Sequence, residues 1–290
     1  MSGGGPMIVL LIPLAFAPAL FWMWWYYRQD LYEKEPKRLL ALVFLLAMPF
    51  SVLTGLFEYT LDGGKGQLSE NPNFLVSALF YLLVVAVVEE LAKFIVVVTV
   101  AYSNREFNEQ IDGIIYTVAA ALGFASFENV FYLLDQGPLI ILLRGPVSTL
   151  GHVLFSAMWG AALGLARFEP ARRRRMSMIG RGLVWAILTH GVFDILIALA
   201  RFEVWLSVSA VLFVVLLYWL VSRQIAYALN LSQFKPHQPT RLSRHLQDPA
   251  ARPPVYVPNP NSYRFTRSGS DSNPVNLPSV EPSVDPNSNE

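Results

Sequence analysis

The stretch from Val88 to Lys93 places two adjacent carboxylates, Glu89 and Glu90, and the ammonium group of Lys93 inside an apolar segment that spans residues 74–102. A charge at the centre of a bilayer costs about 2.5–3.5 kcal/mol on insertion scales. Three charged side chains in one helical turn are therefore expensive unless they face a protein interior or a water-filled cavity. The stretch predicts a chemical site inside a membrane-spanning helix.

Five further polar residues interrupt the apolar blocks that follow. They are Glu128, Asn129, His152, His190 and Asp194. With a rise of about 1.5 Å per residue, Glu89 and the four ionisable residues of this set lie roughly 14–24 Å from the cytoplasmic ends of their helices. Independent helices have no reason to share a depth, so the agreement predicts a single site.

Two pairs of these residues have the spacing of one helical turn. His190 and Asp194 are four residues apart, as are Glu89 and Lys93, and residues at this spacing share a helix face. Lys93 can neutralise one carboxylate and leave the other for chemistry. Structural alternatives exist for each residue alone, namely a buried ion pair or a hydrogen bond between helices. The shared depth favours function.

The residue types indicate hydrolysis. A carboxylate and an imidazole can activate a water molecule as a general base, and the same groups can hold a zinc ion that lowers the pKa of that water. The chain has no cysteine, which excludes thiol catalysis. Ser156 lies one turn from His152 and is interpreted as a packing residue rather than a nucleophile. Inside a membrane the expected substrate bond is a peptide bond.

The composition is typical of a membrane protein. Of 290 residues, 54% are hydrophobic and 15% are charged, and the mean hydropathy is +0.42. We predict an all-α, polytopic bundle of about seven transmembrane helices over residues 1–222 and a disordered cytoplasmic tail over residues 223–290. The predicted spans are residues 7–27, 39–61, 74–102, 113–134, 147–168, 182–200 and 204–221.

Residues 138–146 and two small-residue stretches give further expectations about how the helices lie and pack. Residues 139–143 are apolar but are followed by Arg144, Gly145 and Pro146, so residues 138–146 are expected to be interfacial or re-entrant. Residues 119–126 and 160–164 are rich in glycine, alanine and serine, which predicts close helix contacts.

The first apolar block, residues 7–27, has neither a basic stretch before it nor a small-residue cleavage site after it. We therefore do not expect a cleaved signal peptide.

Positive charges set the expected orientation. Most lysine and arginine residues of the loops fall in residues 28–38 and 172–175, which the positive-inside rule assigns to the cytoplasm. The N-terminus is then outside and the tail is cytoplasmic. The net charge of +1 gives no indication of nucleic-acid binding.

The motifs together resemble the PrsW family of bacterial intramembrane proteases, which is distantly related to the CAAX prenyl endopeptidases. The resemblance rests on residues 89–93, 124–129, 152–156 and 190–194, and on the loop at residues 30–36. It implies a multi-span helical protease of the bacterial cytoplasmic membrane. Its substrate would be a single-span membrane protein, such as an anti-sigma factor cut on the extracytoplasmic side. Asp194 and Glu128 depart from the CAAX pattern, which puts a CAAX substrate in doubt.

We therefore expect Glu89 or Glu90 to activate the hydrolytic water and His152 and His190 to complete the site. Glu128, His152, His190 and Asp194 are the expected ligands of one divalent metal ion, zinc, if a metal is used; Lys93 and Asn129 are supporting residues. The alternative is a transporter or proton relay, which also uses buried glutamate, histidine and aspartate side chains. The sequence has no inverted repeat of the kind that transporters show. A third alternative, an inactive scaffold, should have lost site residues. The oligomeric state is left open.

Overall fold

The computed structural model describes residues 5–64, 66–200 and 203–236, and this part of the chain is helical, without strands. The elements are α1 Gly5–Gln29, α2 Lys37–Leu61, α3 Phe74–Phe80, a π-helical turn Tyr81–Val85, α4 Ala86–Val100, α5 Asp112–Gln136, α6 Leu139–Arg167, α7 Arg172–Leu199 and α8 Val204–Leu231. The predicted all-α fold class is confirmed.

Five of these stretches are long and apolar enough to cross a membrane: Lys37–Leu61, Asp112–Gln136, Gly145–Arg167, Arg172–Leu199 and Trp205–Leu231. They fit a multi-pass membrane protein. The first predicted span corresponds to α1, and the third is divided between α3, the π-helical turn and α4. Neither is among the five, so the total of seven spans stays a prediction.

Helix α5 lies at the centre of the bundle, and every residue from 111 to 126 is buried. Its small residues allow the close contacts that the composition predicts. A Cβ atom on Gly113 would overlap the carbonyl oxygen of Gly160 in α6, and one on Gly123 would overlap the carbonyl oxygen of Phe44 in α2. Such backbone contacts replace the hydrophobic effect as the source of helix association in lipid.

The structure shows that residues 139–146 are helical, because α6 begins at Leu139 and continues through Pro146; their interfacial or re-entrant position in the membrane stays a prediction. Proline removes one helical hydrogen bond, but tertiary packing retains the helix. Ile141 is buried in a cluster with Ala15 and Leu133. Gly145 lies so close to α1 that a Cβ atom there would be 2.9 Å from Cγ of Pro18.

The last two helices are longer than the apolar blocks that predict them. Helix α7 begins at Arg172, so the basic run is its first turn rather than a loop. Helix α8 continues to Leu231, past the predicted domain boundary after residue 222. Val221, Ile225 and Ala228 extend its buried face beyond that boundary, a spacing that fits one side of a helix. Residues 237–290 of the predicted tail lie outside the described residues.

A π-helical turn at Tyr81–Val85 precedes the double glutamate by one turn. π-helical turns occur often at functional sites, because they change the direction of the side chains that follow. Helix α7 packs tightly here, since a Cβ atom on Gly191 would lie 2.8 Å from Cα of Leu82. This contact brings His190 to the same level as Glu89 and Glu90.

Candidate active site

Lys93 is the cationic centre of a buried cluster. Its Nζ atom donates to Glu89 Oε2 at 3.2 Å and to Glu90 Oε1 at 2.9 Å, and it lies 3.1 Å from His152 Nδ1. The ammonium group is also 4.4 Å from the centroid of the Phe124 ring. The side chain is fully buried, so the ion pairs largely offset the cost of removing its charge from water.

Glu90 is held by hydrogen bonds on both carboxylate oxygens. Oε1 accepts from Lys93 and lies 3.0 Å from His190 Nδ1. Oε2 accepts from the Ser156 hydroxyl at 2.7 Å and from the Trp159 indole at 2.9 Å. These contacts connect α4 with α6 and α7. They suit a residue that positions others, and the sequence did not indicate Trp159, whose only signal is its place three residues after Ser156.

Glu89 has a different environment from its neighbour. Its Oε2 atom lies 3.7 Å from His152 Nδ1 and 3.7 Å from His190 Nε2. The side chain lines a cavity of about 810 Å³ that reaches from this cluster to Asp62 and Gln136, at the ends of α2 and α5. Glu89 is thus the member of the glutamate pair that a substrate and a water molecule can reach.

The two histidines lie side by side, with ring centroids 5.2 Å apart. His152 Nε2 is 2.8 Å from Glu128 Oε2, and His190 Nε2 is 3.4 Å from Asp194 Oδ2. The His190 ring also stacks on Phe155 with centroids 4.9 Å apart. The side chains of the two histidines and of Glu128 and Asp194 all line the cavity. The structure therefore brings together His152, His190, Glu128 and Asp194 beside Glu89.

Asn129, a predicted supporting residue of the site, forms its side-chain hydrogen bonds with groups outside the catalytic cluster. Its side-chain amide donates to the Ala15 carbonyl at 3.3 Å and to the Thr149 hydroxyl at 3.1 Å. Asn129 thus connects α5 to α1 and α6. It acts on the site only through the placement of α5.

Glu58 is a cavity residue that the sequence analysis missed. It lines the cavity together with Glu89 and Glu128, and its Oε1 atom is buried without a hydrogen-bond partner in the described part of the chain. Its sequence signal was present, because it is an acidic residue inside the apolar block 39–61.

Comparison with known proteins identifies the family. The model of the PrsW family of intramembrane metalloproteases matches residues 35–221. The chain belongs to the PrsW family. It is a membrane protease that hydrolyses peptide bonds, and the transporter alternative is not favoured. The resemblance inferred from the motifs is confirmed.

Several curated PrsW proteases are similar over most of their length. Protease PrsW of Geobacillus kaustophilus (strain HTA426) is 30% identical over 75% of this chain and 92% of its own. Protease PrsW of Clostridioides difficile (strain 630) is 30% identical over 72% and 87%, respectively. Protease PrsW of Bacillus subtilis (strain 168) is 28% identical over 78% and 98%. No solved structure matches this PrsW-family chain.

The donor atoms fit the metal that the family description implies. Among the described residues, Glu89, His152 and His190 each offer a ligand atom within 4.8 Å of the others. Two histidines and a glutamate are a known ligand set of catalytic zinc. The hydrogen bond of His190 Nδ1 with Glu90 would fix the ring so that Nε2 faces the site, as orienting contacts do in metalloenzymes. Both histidines belong to the predicted ligand set, whereas Glu89 comes from the structure.

Proposed function

We propose that this PrsW-family protease cuts a single-span membrane protein at the level of Glu89, on the extracytoplasmic side of the bacterial cytoplasmic membrane. The observation that carries the proposal is the cavity that leads to Glu89, His152 and His190 between the ends of the helices. An anti-sigma factor is the substrate class that the family resemblance suggests. The same proposal places the N-terminus outside and the tail in the cytoplasm, and it extends the protease core, predicted as residues 1–222, to the end of α8 at Leu231.

Glu89 is the general base in this proposal. Its carboxylate takes a proton from the hydrolytic water, which attacks the peptide carbonyl carbon. Lys93 Nζ lies 3.2 Å from Glu89 Oε2, where its positive charge favours the carboxylate form that takes the proton. The donor that stabilises the negative charge on the carbonyl oxygen is the Nε2–H group of His152, which faces Glu128 in the structure because Nδ1 accepts from Lys93. The proton finally passes to the leaving amine.

Other residues orient this machinery. Glu90 holds His190 through Nδ1, and Glu128 contacts His152 through Nε2. With Glu89 as the base, His152, His190, Glu128 and Asp194 are the residues that would hold a divalent ion such as zinc. When bound, that ion supplies Lewis acidity and lowers the pKa of a water molecule.

The test uses purified protein in detergent with single-span substrate proteins. Wild type is compared with Glu89→Gln, which preserves shape but removes the base. We expect site-specific cleavage by wild type and none by the variant. Equal cleavage by both would exclude Glu89 as the base.

Metal dependence is tested separately. Protein is treated with a chelator until elemental analysis finds no metal, and cleavage is then measured before and after zinc is returned. We expect cleavage to be lost and restored. Full activity of the metal-free protein would exclude a metal and leave the glutamate–water route.

A further inference from the structure

A second cavity opens between α2 and α5 and reaches the same glutamate. It has a volume of about 430 Å³. The lining residues come from α2, α4 and α5: Ser51, Val52, Thr54, Gly55, Leu56, Glu58, Glu89, Phe124, Glu128, Phe131, Tyr132 and Asp135. Glu58, Glu89 and Glu128 line both this cleft and the larger cavity. The cleft is therefore continuous with the site from the side of the bundle.

The cleft exists because α2 and α5 separate along their length. They touch at Gly123, where a Cβ atom would overlap the carbonyl oxygen of Phe44. Three turns further along α2, a Cβ atom on Gly55 would have no neighbour within 4 Å. Leu53 and Phe131, beside the opening, are largely exposed apolar side chains. In a membrane these residues face lipid, so the cleft opens towards the bilayer.

The wall of the cleft carries hydrogen-bonding groups that the protein itself does not use. Ser51 is 4% exposed, and its hydroxyl has no hydrogen-bond partner in the described part of the chain. The Oε1 atom of Glu58 is likewise buried without a partner. Buried polar groups are costly to leave unpaired. In the cleft, the Ser51 hydroxyl and Glu58 Oε1 are placed to form hydrogen bonds with the backbone N–H and C=O groups of an unwound peptide.

The charges of the cleft restrict its occupant. Its wall includes the carboxylates of Glu58, Glu89, Glu128 and Asp135, and none of the described residues that line it is a lysine or an arginine. An acidic segment would find no cation among these wall residues, whereas the N–H groups of a neutral or basic segment would find hydrogen-bond acceptors.

We propose that the cleft between α2 and α5 is the lateral entrance for the substrate. Its occupant is a partly unwound stretch of a membrane-anchored substrate without acidic residues, which moves from lipid past Ser51 and Glu58 to Glu89. This inference rests on the proposed function, since it assigns the route to the proposed site.

The first test is cross-linking, which needs no catalysis. The natural chain has no cysteine, so single cysteines are introduced in the Glu89→Gln background at Val52, in the cleft wall. The matched control is Leu53→Cys, at the exposed neighbour.

The probe is a synthetic peptide in phosphatidylcholine vesicles. It has one apolar stretch of about 20 residues, lysine at both ends and one activated cysteine near its extracytoplasmic end. We expect at least ~10-fold more cross-linked product at position 52 than at position 53. At position 52, a second probe with aspartates beside its cysteine should give at least ~5-fold less product than the first probe. Equal labelling at positions 52 and 53 would overturn the entrance, and equal labelling by both probes would overturn its selectivity.

The second test is cleavage of a single-span substrate by Val52→Trp and by the control Leu53→Trp. We expect at least ~10-fold slower cleavage by the first and little change in the second, because only the first fills the cleft. Thermal unfolding midpoints check that both variants fold. Equal rates in folded variants would overturn the proposal. If wild type cleaves no substrate while position 52 still cross-links, the proposed function fails and the entrance stands.

Discussion

Glu89 and Glu90 are neighbours in sequence, but the helix turns them towards different surroundings. Glu90 is fully buried and accepts hydrogen bonds from Lys93, Ser156 and Trp159. Glu89 lines the cavity. At the scale of single residues, this difference separates the group that can meet a substrate from the group that holds the site together.

The first prediction compares Glu89→Gln with Glu90→Gln. Glu89→Gln should reduce cleavage at least ~100-fold, the usual size of a general-base contribution, and should lower the unfolding midpoint less than Glu90→Gln does, because Glu89 has fewer hydrogen-bond contacts. Glu90→Gln should also lower the unfolding midpoint, because breaking one side of a buried ion pair costs about 3–5 kcal/mol. Cleavage assays and thermal unfolding in detergent measure the two effects. Equal midpoints would contradict the structural role of Glu90.

The second prediction concerns His152→Ala and His190→Ala. Each should abolish cleavage while membrane expression remains largely intact, since both rings line a cavity that can admit water. Quantified expression and cleavage per folded molecule are the measurements. Degradation of both variants, with normal cleavage by the folded remainder, would mean that the histidines are structural.

At the scale of helices, glycine contacts set the distances that assemble the site. The third prediction compares Gly123→Ala with Gly55→Ala, the same change in two settings. The added methyl group at position 123 meets the backbone of Phe44, whereas at position 55 it meets nothing within 4 Å. We expect a loss of ~1–3 kcal/mol at position 123 and a neutral or slightly stabilising effect at position 55. Unfolding midpoints of the two variants measure this, and similar midpoints would contradict the close packing.

The loop between α1 and α2 docks on α5 through Glu35, which accepts a hydrogen bond from the Tyr116 hydroxyl. Burial, followed by the nearby carboxyl of Asp112, raises the pKa of Glu35 from 4.5 to about 10. The folded protein therefore holds a proton that the unfolded chain releases above about pH 4.5. The stability from this proton is complete below pH 4.5 and decreases as the pH rises towards 10.

The fourth prediction follows from this loss of stability as the pH rises. Glu35→Gln keeps a neutral side chain at every pH, so its unfolding midpoint should fall less between pH 5 and pH 9 than that of wild type. The exposed residue Glu203 provides the control Glu203→Gln, which should follow wild type. A Glu35→Gln curve parallel to wild type would rule out a buried, protonated Glu35.

On the scale of the whole molecule, several helix ends meet at one end of the bundle. The Arg167 guanidinium at the end of α6 lies 5.5 Å from the ring of Tyr102, just after α4. Ser232, after α8, donates a hydrogen bond to Glu109 in the loop before α5. The loop before α2 reaches the same end through Glu35 and Tyr116. This arrangement agrees with helices that alternate in direction.

The fifth prediction is the orientation of that end. Reporters fused after Arg175 and in the tail should be cytoplasmic, and a reporter fused near residue 64 should be external. The basic residues concentrate in residues 28–38 and 172–175, and the alternation of seven spans then places the tail on the same side as these residues. Alkaline phosphatase and fluorescent-protein fusions measure the location. An external tail would overturn the seven-span arrangement.

The sequence alone identified the membrane class, the helical blocks and most residues of the cluster. Charges in lipid are so costly that Glu89, Glu128, His152, His190 and Asp194 stood out, and helical spacing paired Glu89 with Lys93. These signals are local or depend on a regular rise, so they can be read without a fold.

Only the tertiary structure decided which groups face the cavity. Glu90 and Glu89 differ by about 100° around α4, and the contacts of Glu90 with α6 and α7 leave Glu89 to line the cavity. The role of Trp159 and the place of Glu58 depend on contacts between α2, α4 and α6, which spacing along one helix does not reveal. Packing of Ile141 and Gly145 likewise retained the helix through Pro146, because many tertiary contacts outweigh one lost hydrogen bond.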